Sequence, residues 1–174
     1  MAKPLDYSSN KEYKWHAIYT RLNHEKTVEA SLKERSIEVF LPKKKMLRIW
    51  SDRKKWIEEP LFRPYVFVRV SNKEYHKVLQ IPSVLYYIFF GGKAAQIPDE
   101  QIEVLKIIYD NNLDCEISPN SINSGDLAKI IYGPLKGRIV NVINRKGDQR
   151  IIVTMKQISY SVLIDIDSDF LIPC

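Results

Sequence analysis

Cysteine is almost missing from this chain: its 174 residues contain two, Cys115 and Cys174, far apart, with no C-x-x-C pair and no histidine close to either. That excludes a disulfide framework and a zinc site as organising devices, and both thiols read as incidental. Histidine is as scarce, at His16, His24 and His76 only, none with a partner at catalytic spacing. No G-x-S-x-G, Walker loop, H-E-x-x-H or G-x-G-x-x-G occurs, and Gly91-Gly92 lacks the Lys-Ser/Thr helix start of a phosphate cradle. Asp165-Ile166-Asp167-Ser168-Asp169 superficially resembles a calcium loop but has neither its glycine turn nor its distal glutamate. Together these absences argue against catalytic residues, a metal and a cofactor. No apolar run approaches the roughly 18 residues of a membrane span, and residues 1–6 carry no hydrophobic leader, so the expectation is a cytoplasmic protein without membrane contact.

What is present is a soluble globular composition, 45% hydrophobic and 28% charged, enough for one ordinary domain or a medium one plus a small one. The net charge is +6, and it is concentrated. Lys43, Lys44, Lys45, Arg48, Arg53, Lys54 and Lys55 face Asp52 alone, so one short segment carries the whole excess. Such a patch is either the footprint of a nucleic-acid contact or a solvated, lysine-protected hairpin.

The stretch 59–70, Glu-Pro-Leu-Phe-Arg-Pro-Tyr-Val-Phe-Val-Arg-Val, reads as a strand with two unlike faces. Phe62, Pro64, Val66, Val68 and Val70 make a core face; Arg63, Tyr65, Phe67 and Arg69 make the other. Its two aromatics either pack under a helix or await a partner. Around it, 15–20 reads as a first strand. Asn23 caps a helix from His24 to about Arg35 with a Glu29–Lys33 pair, and 39–41 is a second strand. Residues 43–59 form a long β-hairpin arm whose Trp50 and Trp56 are expected to pack across it near its base. Ser71-Asn72-Lys73-Glu74 has the S-x-x-E form of a capping box, and its helix ends at Pro82. The apolar run 84–90 predicts a central strand, and Pro98-Asp99-Glu100 opens a third helix. This is an α+β domain, helices on a mostly antiparallel sheet, over 12–112.

Residues 113–124 are polar and read as a linker. From 125 to 174 short β-branched runs alternate with turn residues, the pattern of a small closed barrel. Within it Gly133-Pro134-Leu135-Lys136-Gly137-Arg138-Ile139-Val140 resembles the KOW motif of SH3-like barrels, in which Gly133, Pro134 and Gly137 set a tight loop and Lys136 projects from it.

The order of a Trp-x-x-x-Tyr strand, a basic hairpin, Pro60-Leu61-Phe62-Arg63-Pro64-Tyr65-Val66-Phe67-Val68, Phe90-Gly91-Gly92 and then the KOW barrel resembles the NusG family, from Trp15 to Phe170. Glu59-Pro60-Leu61-Phe62 looks more like the specialised RfaH type and the antiterminators of surface-polysaccharide operons. The resemblance implies a monomeric, non-enzymatic factor whose N-terminal domain sits on the clamp helices of RNA polymerase and suppresses pausing and termination. It implies polymerase contacts at Tyr65 and Phe67, with Tyr19 and Phe62 nearby, and at His76 a contact to the gate loop, although the family's His-Thr-Thr segment continues here as Lys77-Val78. It further implies non-template DNA or nascent RNA at Arg21, His24 and Lys26 and along the arm, and a ribosomal protein or Rho at the KOW domain. The alternative reading is a KOW-type RNA- or ribosome-binding protein.

Overall fold

The computed structural model describes residues 12–49, 51–119, 122, 125–145 and 148–174. The tail 1–11, Trp50, the turn residues Lys146-Gly147 and residues 120, 121, 123 and 124 of the expected linker lie outside the described residues. In chain order the elements are β1 (Lys14–Thr20), α1 (Glu25–Glu34), β2 (Glu38–Phe40), β3 (Lys43–Ile49), β4 (Lys54–Pro60), β5 (Tyr65–Val70), α2 (Tyr75–Leu79), β6 (Val84–Tyr87), β7 (Phe89–Phe90), β8 (Lys93–Ala94), β9 (Gln96–Ile97) and α3 (Asp99–Asp110). Then follow β10 (Glu116–Ser118), β11 (Asp126–Ile130), β12 (Ile139–Arg145), β13 (Asp148–Met155), β14 (Tyr160–Ile166) and β15 (Leu171–Pro173), with 3-10 turns at Lys156–Ile158 and Ser168–Phe170. They fall into two compact units, 1–41 with 63–97 and 42–62 with 98–174.

The first unit is an antiparallel sheet in the order β2-β5-β1-β6, with β9 also paired to β1. Ile18, Val66, Val68 and Val70 on one face meet Val28 and Leu32 of α1 and Val78 of α2 in its core. Each fully buried aliphatic side chain of this kind stabilises by about 1.5–3 kcal/mol. The first helix starts at Glu25 with His24 as N-cap, not Asn23, which has a left-handed φ of 66° and caps nothing. The Glu29–Lys33 pair does form, at 2.8 Å. Glu74 closes the capping box before α2, accepting from the Ser71 backbone N–H at 3.2 Å and from its hydroxyl at 3.1 Å.

The run 84–90 is not a central strand. Val84–Tyr87 pairs only with β1, at the outer side of the sheet, and Phe89–Phe90 belongs to a separate two-stranded ribbon with β8. Its apolar content is mostly exposed: Leu85 and Tyr86 are each 47% accessible and the two phenylalanines 60% and 61%. A continuous apolar run signals a buried strand only where packed layers cover both faces of the sheet, and here the central places go to β1 and β5 while β6 ends the strand order.

The second unit holds the arm, α3 and a six-stranded antiparallel sheet in the order β10-β14-β13-β12-β11-β15. After 125 the described residues form strands β11 to β15, joined by a loop over 131–138 and the two 3-10 turns, with no α-helix among them, as the isoleucine and valine density implied. Residues 116–118 of the expected linker pair with Leu163, Val162 and Ser161 of β14. Ile122 is held similarly, its N–H donating to Ser161 Oγ at 2.9 Å and its carbonyl accepting from Thr154 Oγ1. Short polar segments join a sheet readily when a neighbouring strand edge offers hydrogen bonds. Beside them α3 donates from Gln101 Nε2 to the Thr154 carbonyl at 3.0 Å, and Glu103 pairs with Arg138 at 2.9 Å.

Two measurements probe these elements. Gly125 has φ +146°, and a Cβ there would lie 2.9 Å from the Val142 carbonyl oxygen. Gly125→Ala should therefore lower stability by about 2 kcal/mol in urea unfolding. His16 is buried, its Nδ1–H donates to the Ala95 carbonyl at 3.0 Å, and burial holds its pKa below the ordinary imidazole value, the hydrogen bond and Lys14 being smaller influences. A native pKa below the unfolded one means that the unfolded chain binds the proton first as pH falls. The contribution is present above about pH 6.5 and is lost toward the lower native pKa. The melting temperature should fall between pH 7.5 and pH 5, and fall less in His16→Asn, which keeps a donor near the Nδ1 position.

Candidate polymerase and nucleic-acid surfaces

The alternation of β5 places Tyr65, Phe67 and Arg69 on the face away from α1 and α2, in register with Tyr19, Ala17 and Trp15 of β1. Tyr19 is also opposite Tyr86 of β6. The three tyrosines therefore form a row across β5, β1 and β6. Tyr19 stacks on Tyr86 at 4.9 Å with planes 9° apart and meets Tyr65 edge-on at 5.6 Å. Tyr19 and Tyr65 are half-buried, and Tyr86 is exposed. The row is pinned at its end by Thr20, whose backbone N–H and hydroxyl both donate to the Pro64 carbonyl at 3.0 Å.

The aromatics expected beside Tyr65 are placed differently. Phe67 is fully buried and stacks with Phe40 of β2 at 6.4 Å. Phe62 is fully buried too, edge-on to Tyr160 at 5.8 Å. Of the two arginines bracketing the stretch, Arg63 in the turn before β5 donates to Asn23 Oδ1 at 3.4 Å, and Arg69 reaches across to Glu38 of β2 at 3.3 Å. Tyr86 was missed in the sequence because its run read as buried strand; the Tyr19–Tyr86 register, a tertiary property, is what marks it.

His76 lies exposed on α2, edge-on to Tyr75 at 5.5 Å. Arg21, His24 and Lys26 come together, all exposed, where β1 turns into α1. The turn is stitched to the start of β6: the Arg21 N–H donates to the Ser83 carbonyl at 2.9 Å, and the His24 ring and the Ser83 hydroxyl are 2.9 Å apart.

The arm is a seven-pair antiparallel ribbon from Lys43↔Pro60 to Ile49↔Lys54. Its cations are not equivalent. Lys44 donates to Asp114 at 2.6 Å and to the Cys115 carbonyl at 3.1 Å. The Lys44 hydrogen bond and charge hold the Asp114 carboxyl below its ordinary range. Arg48 grips Glu59 through Nε at 3.0 Å and Nη2 at 2.6 Å. Lys45, Lys54 and Lys55 are exposed, as is Arg53 near the tip, while Lys43 at the base is half-buried. Trp56 does not pack near the base. It stands mid-arm, 66% accessible, because a two-stranded ribbon has no second layer to cover it.

On the six-stranded sheet, Gly133 and Gly137 take φ of 83° and 88°, and Leu135 between them is buried while Lys136 points out. The loop closes through the Gly137 N–H to the Ile130 carbonyl at 2.7 Å. Two of the acids of 165–169 have structural partners: Asp165 pairs with Arg150 at 2.7 Å and Asp167 accepts from the Asp169 N–H. Among the described residues no cluster of acids, histidines or cysteines could hold a metal ion. No helix there is long and apolar enough to cross a membrane.

The model of the NusG family, described as transcription termination factor nusG, matches residues 13–106, more than half of the chain. The chain belongs to the NusG family. This is a family of non-enzymatic transcription elongation factors whose members work with RNA polymerase. Among solved structures, one concerning domain interaction in Thermotoga maritima NusG is similar over 92% of this chain and 96% of its own, at 20% identity and a TM-score of 0.50, a likeness of fold alone. The MjSpt4:Spt5 complex is similar over 91% of this chain and 95% of its own, at 18% identity and a TM-score of 0.32, too distant to bear on the fold. Among curated protein sequences none matches.

The NusG-type sheet makes the middle tyrosine the structural one. Tyr19 has ring contacts on both sides, each worth about 0.5–1.5 kcal/mol. Tyr19→Ala should cost about 2 kcal/mol in denaturant unfolding. Tyr65→Phe and Tyr86→Phe, which keep the rings, should each stay within about 0.5 kcal/mol of the parent.

Proposed function

We propose that this NusG-family protein binds the clamp helices of RNA polymerase through the tyrosine row and suppresses pausing and termination as a specialised, RfaH-like antiterminator of long operons. The observation that supports it is the accessible Tyr65–Tyr19–Tyr86 row on the sheet face opposite α1 and α2. Pre-stacked rings present apolar area with little conformational entropy left to lose, a property of interface hot spots. Tyr65 and Tyr86 are the direct contacts, and Tyr19 holds them. Phe67 supports the surface from within, Phe62 is buried against Tyr160 in the second unit and takes no part in it, and His76 faces the gate loop. Stabilising the closed clamp by about 1–3 kcal/mol disfavours the paused state and shortens pauses by roughly 5- to 150-fold.

Arg21, His24 and Lys26 take non-template DNA or nascent RNA, and the arm's exposed cations add phosphate contacts. The strands from 125 onward are a KOW barrel whose loop carries Lys136. Independent folding of 12–112 and 125–174 belongs to the same proposal, although α3 groups with the later strands. A second reading, a protein or RNA contact by the KOW region with the ribosome or Rho, draws on Leu127, Ile139 and Ile172. They are 52%, 63% and 51% accessible on neighbouring strands β11, β12 and β15.

The test is binding to core RNA polymerase together with pause lifetimes in single-round transcription. Tyr65→Ala combined with Tyr86→Ala should weaken binding at least about tenfold and return pausing to the factor-free level. Phe67→Ala is unsuitable because emptying a buried ring site costs about 3–5 kcal/mol of stability. A folded tyrosine double variant that binds polymerase like the parent would remove this surface from the mechanism.

A further inference from the structure

The register of the arm sorts its side chains onto two faces. Lys44, Met46 and Arg48 lie with Glu59, Ile57 and the exposed Lys55 on one, where Lys44 and Arg48 are held by Asp114 and Glu59. On the other, Leu47 lies directly opposite Trp56 and Ile49 opposite Lys54, with Lys45 one pair further toward the base. Leu47 is 43% accessible, and Ile49 and Trp56 are 66% accessible. Three adjacent large apolar side chains, exposed between two exposed lysines, are not explained by packing within the arm.

The occupant can be argued from size and charge. A two-stranded ribbon is two side chains wide, far short of the roughly 800 Å² per partner of a stable protein interface. It does match the flat ring of a base. Between 43 and 55 the only acid is Asp52, and on the apolar face the only carboxylate is Glu58, opposite Lys45, so the surroundings attract a polyanion. Duplex bases are stacked on one another and cannot lie on an indole, whereas unpaired bases can. Beyond Glu58 the face has no side chain able to accept from a ribose 2′-hydroxyl, the group by which RNA is told from DNA.

We propose that the Leu47, Ile49 and Trp56 face of the arm is a stacking platform for single-stranded nucleic acid of either sugar: an unpaired base lies on the Trp56 indole, and Lys45 and Lys54 contact the phosphates on each side. This rests on the reading of the arm as a nucleic-acid contact and adds to it a preference for unpaired strands that phosphate contacts alone do not supply.

Fluorescence anisotropy of the full chain with labelled oligo-dT, oligo-U and a duplex, each of about 12 nucleotides per strand, tests it across a salt series. Trp56→Ala should weaken both single strands about tenfold, leave the duplex within about twofold and keep the salt slope. Trp56→Phe should restore most of the loss. Lys45→Ala with Lys54→Ala should flatten the single-strand slope by about 1.4. An unchanged affinity in Trp56→Ala, an equal loss on duplex, a tenfold preference for one sugar, or no single-strand binding by the parent would each overturn the platform. An unchanged slope in the lysine variant would instead overturn the phosphate reading of the arm, and a loss confined to Trp56→Ala would uphold stacking by itself. Because Trp56 is exposed, its variants should melt with the parent, which separates loss of contact from loss of fold.

Discussion

The antiparallel register between β1 and β5 is the constraint on which the first unit depends. From Lys14↔Val70 to Tyr19↔Tyr65, six consecutive pairs align the apolar face of one strand with that of the other. A slip of one residue would carry Val66, Val68 and Val70 out of the core and push Tyr65 and Arg69 in. The burial of Ile18 and the three valines against α1 and α2 makes such a slip costly. The two hydrogen bonds from Thr20 to the Pro64 carbonyl stop the register at the end where the tyrosines stand. The candidate polymerase surface is thus a by-product of a well-specified core.

The arm obeys the same rule with less to enforce it. It has no helix to choose between its faces, and the choice is made at its base, by Lys44 with Asp114 and by Arg48 with Glu59. Exposed ion pairs of this kind contribute little stability each. They nevertheless tie down two of the cluster's cations on the face where the register has placed them. What is left is a face on which lysines alternate with Leu47, Ile49 and Trp56. A run of basic residues that looks uniform along the chain becomes two surfaces with different chemistry once the strands pair.

Many local features were legible in the residues. The Glu29–Lys33 pair, the Ser71/Glu74 box, the arm and the strands beyond 125 all depend on neighbours a few residues apart or on composition, so sequence carries them. The misreadings share another cause. Asn23 has the chemistry of a cap, but the chain takes a left-handed turn there and His24 holds the N-cap position. The run 84–90 has the composition of a central strand, but β1 and β5 already occupy the centre. Residues 116–118 have the polarity of a linker, but the edge of β14 offers hydrogen bonds to whatever chain passes it.

By itself the sequence determined which residues alternate, where helices start and stop, and where positive charge is dense, because these follow from the two- and 3.6-residue periods and from local capping chemistry. It also carried enough of the pattern for the NusG family to be named from its motifs. Only the tertiary structure decided that Phe67 is covered while Tyr65 is not, that Tyr86 joins Tyr19, and which lysines of the arm face outward. Those outcomes depend on which strand lies beside which, a relation between residues tens of positions apart that no local period encodes.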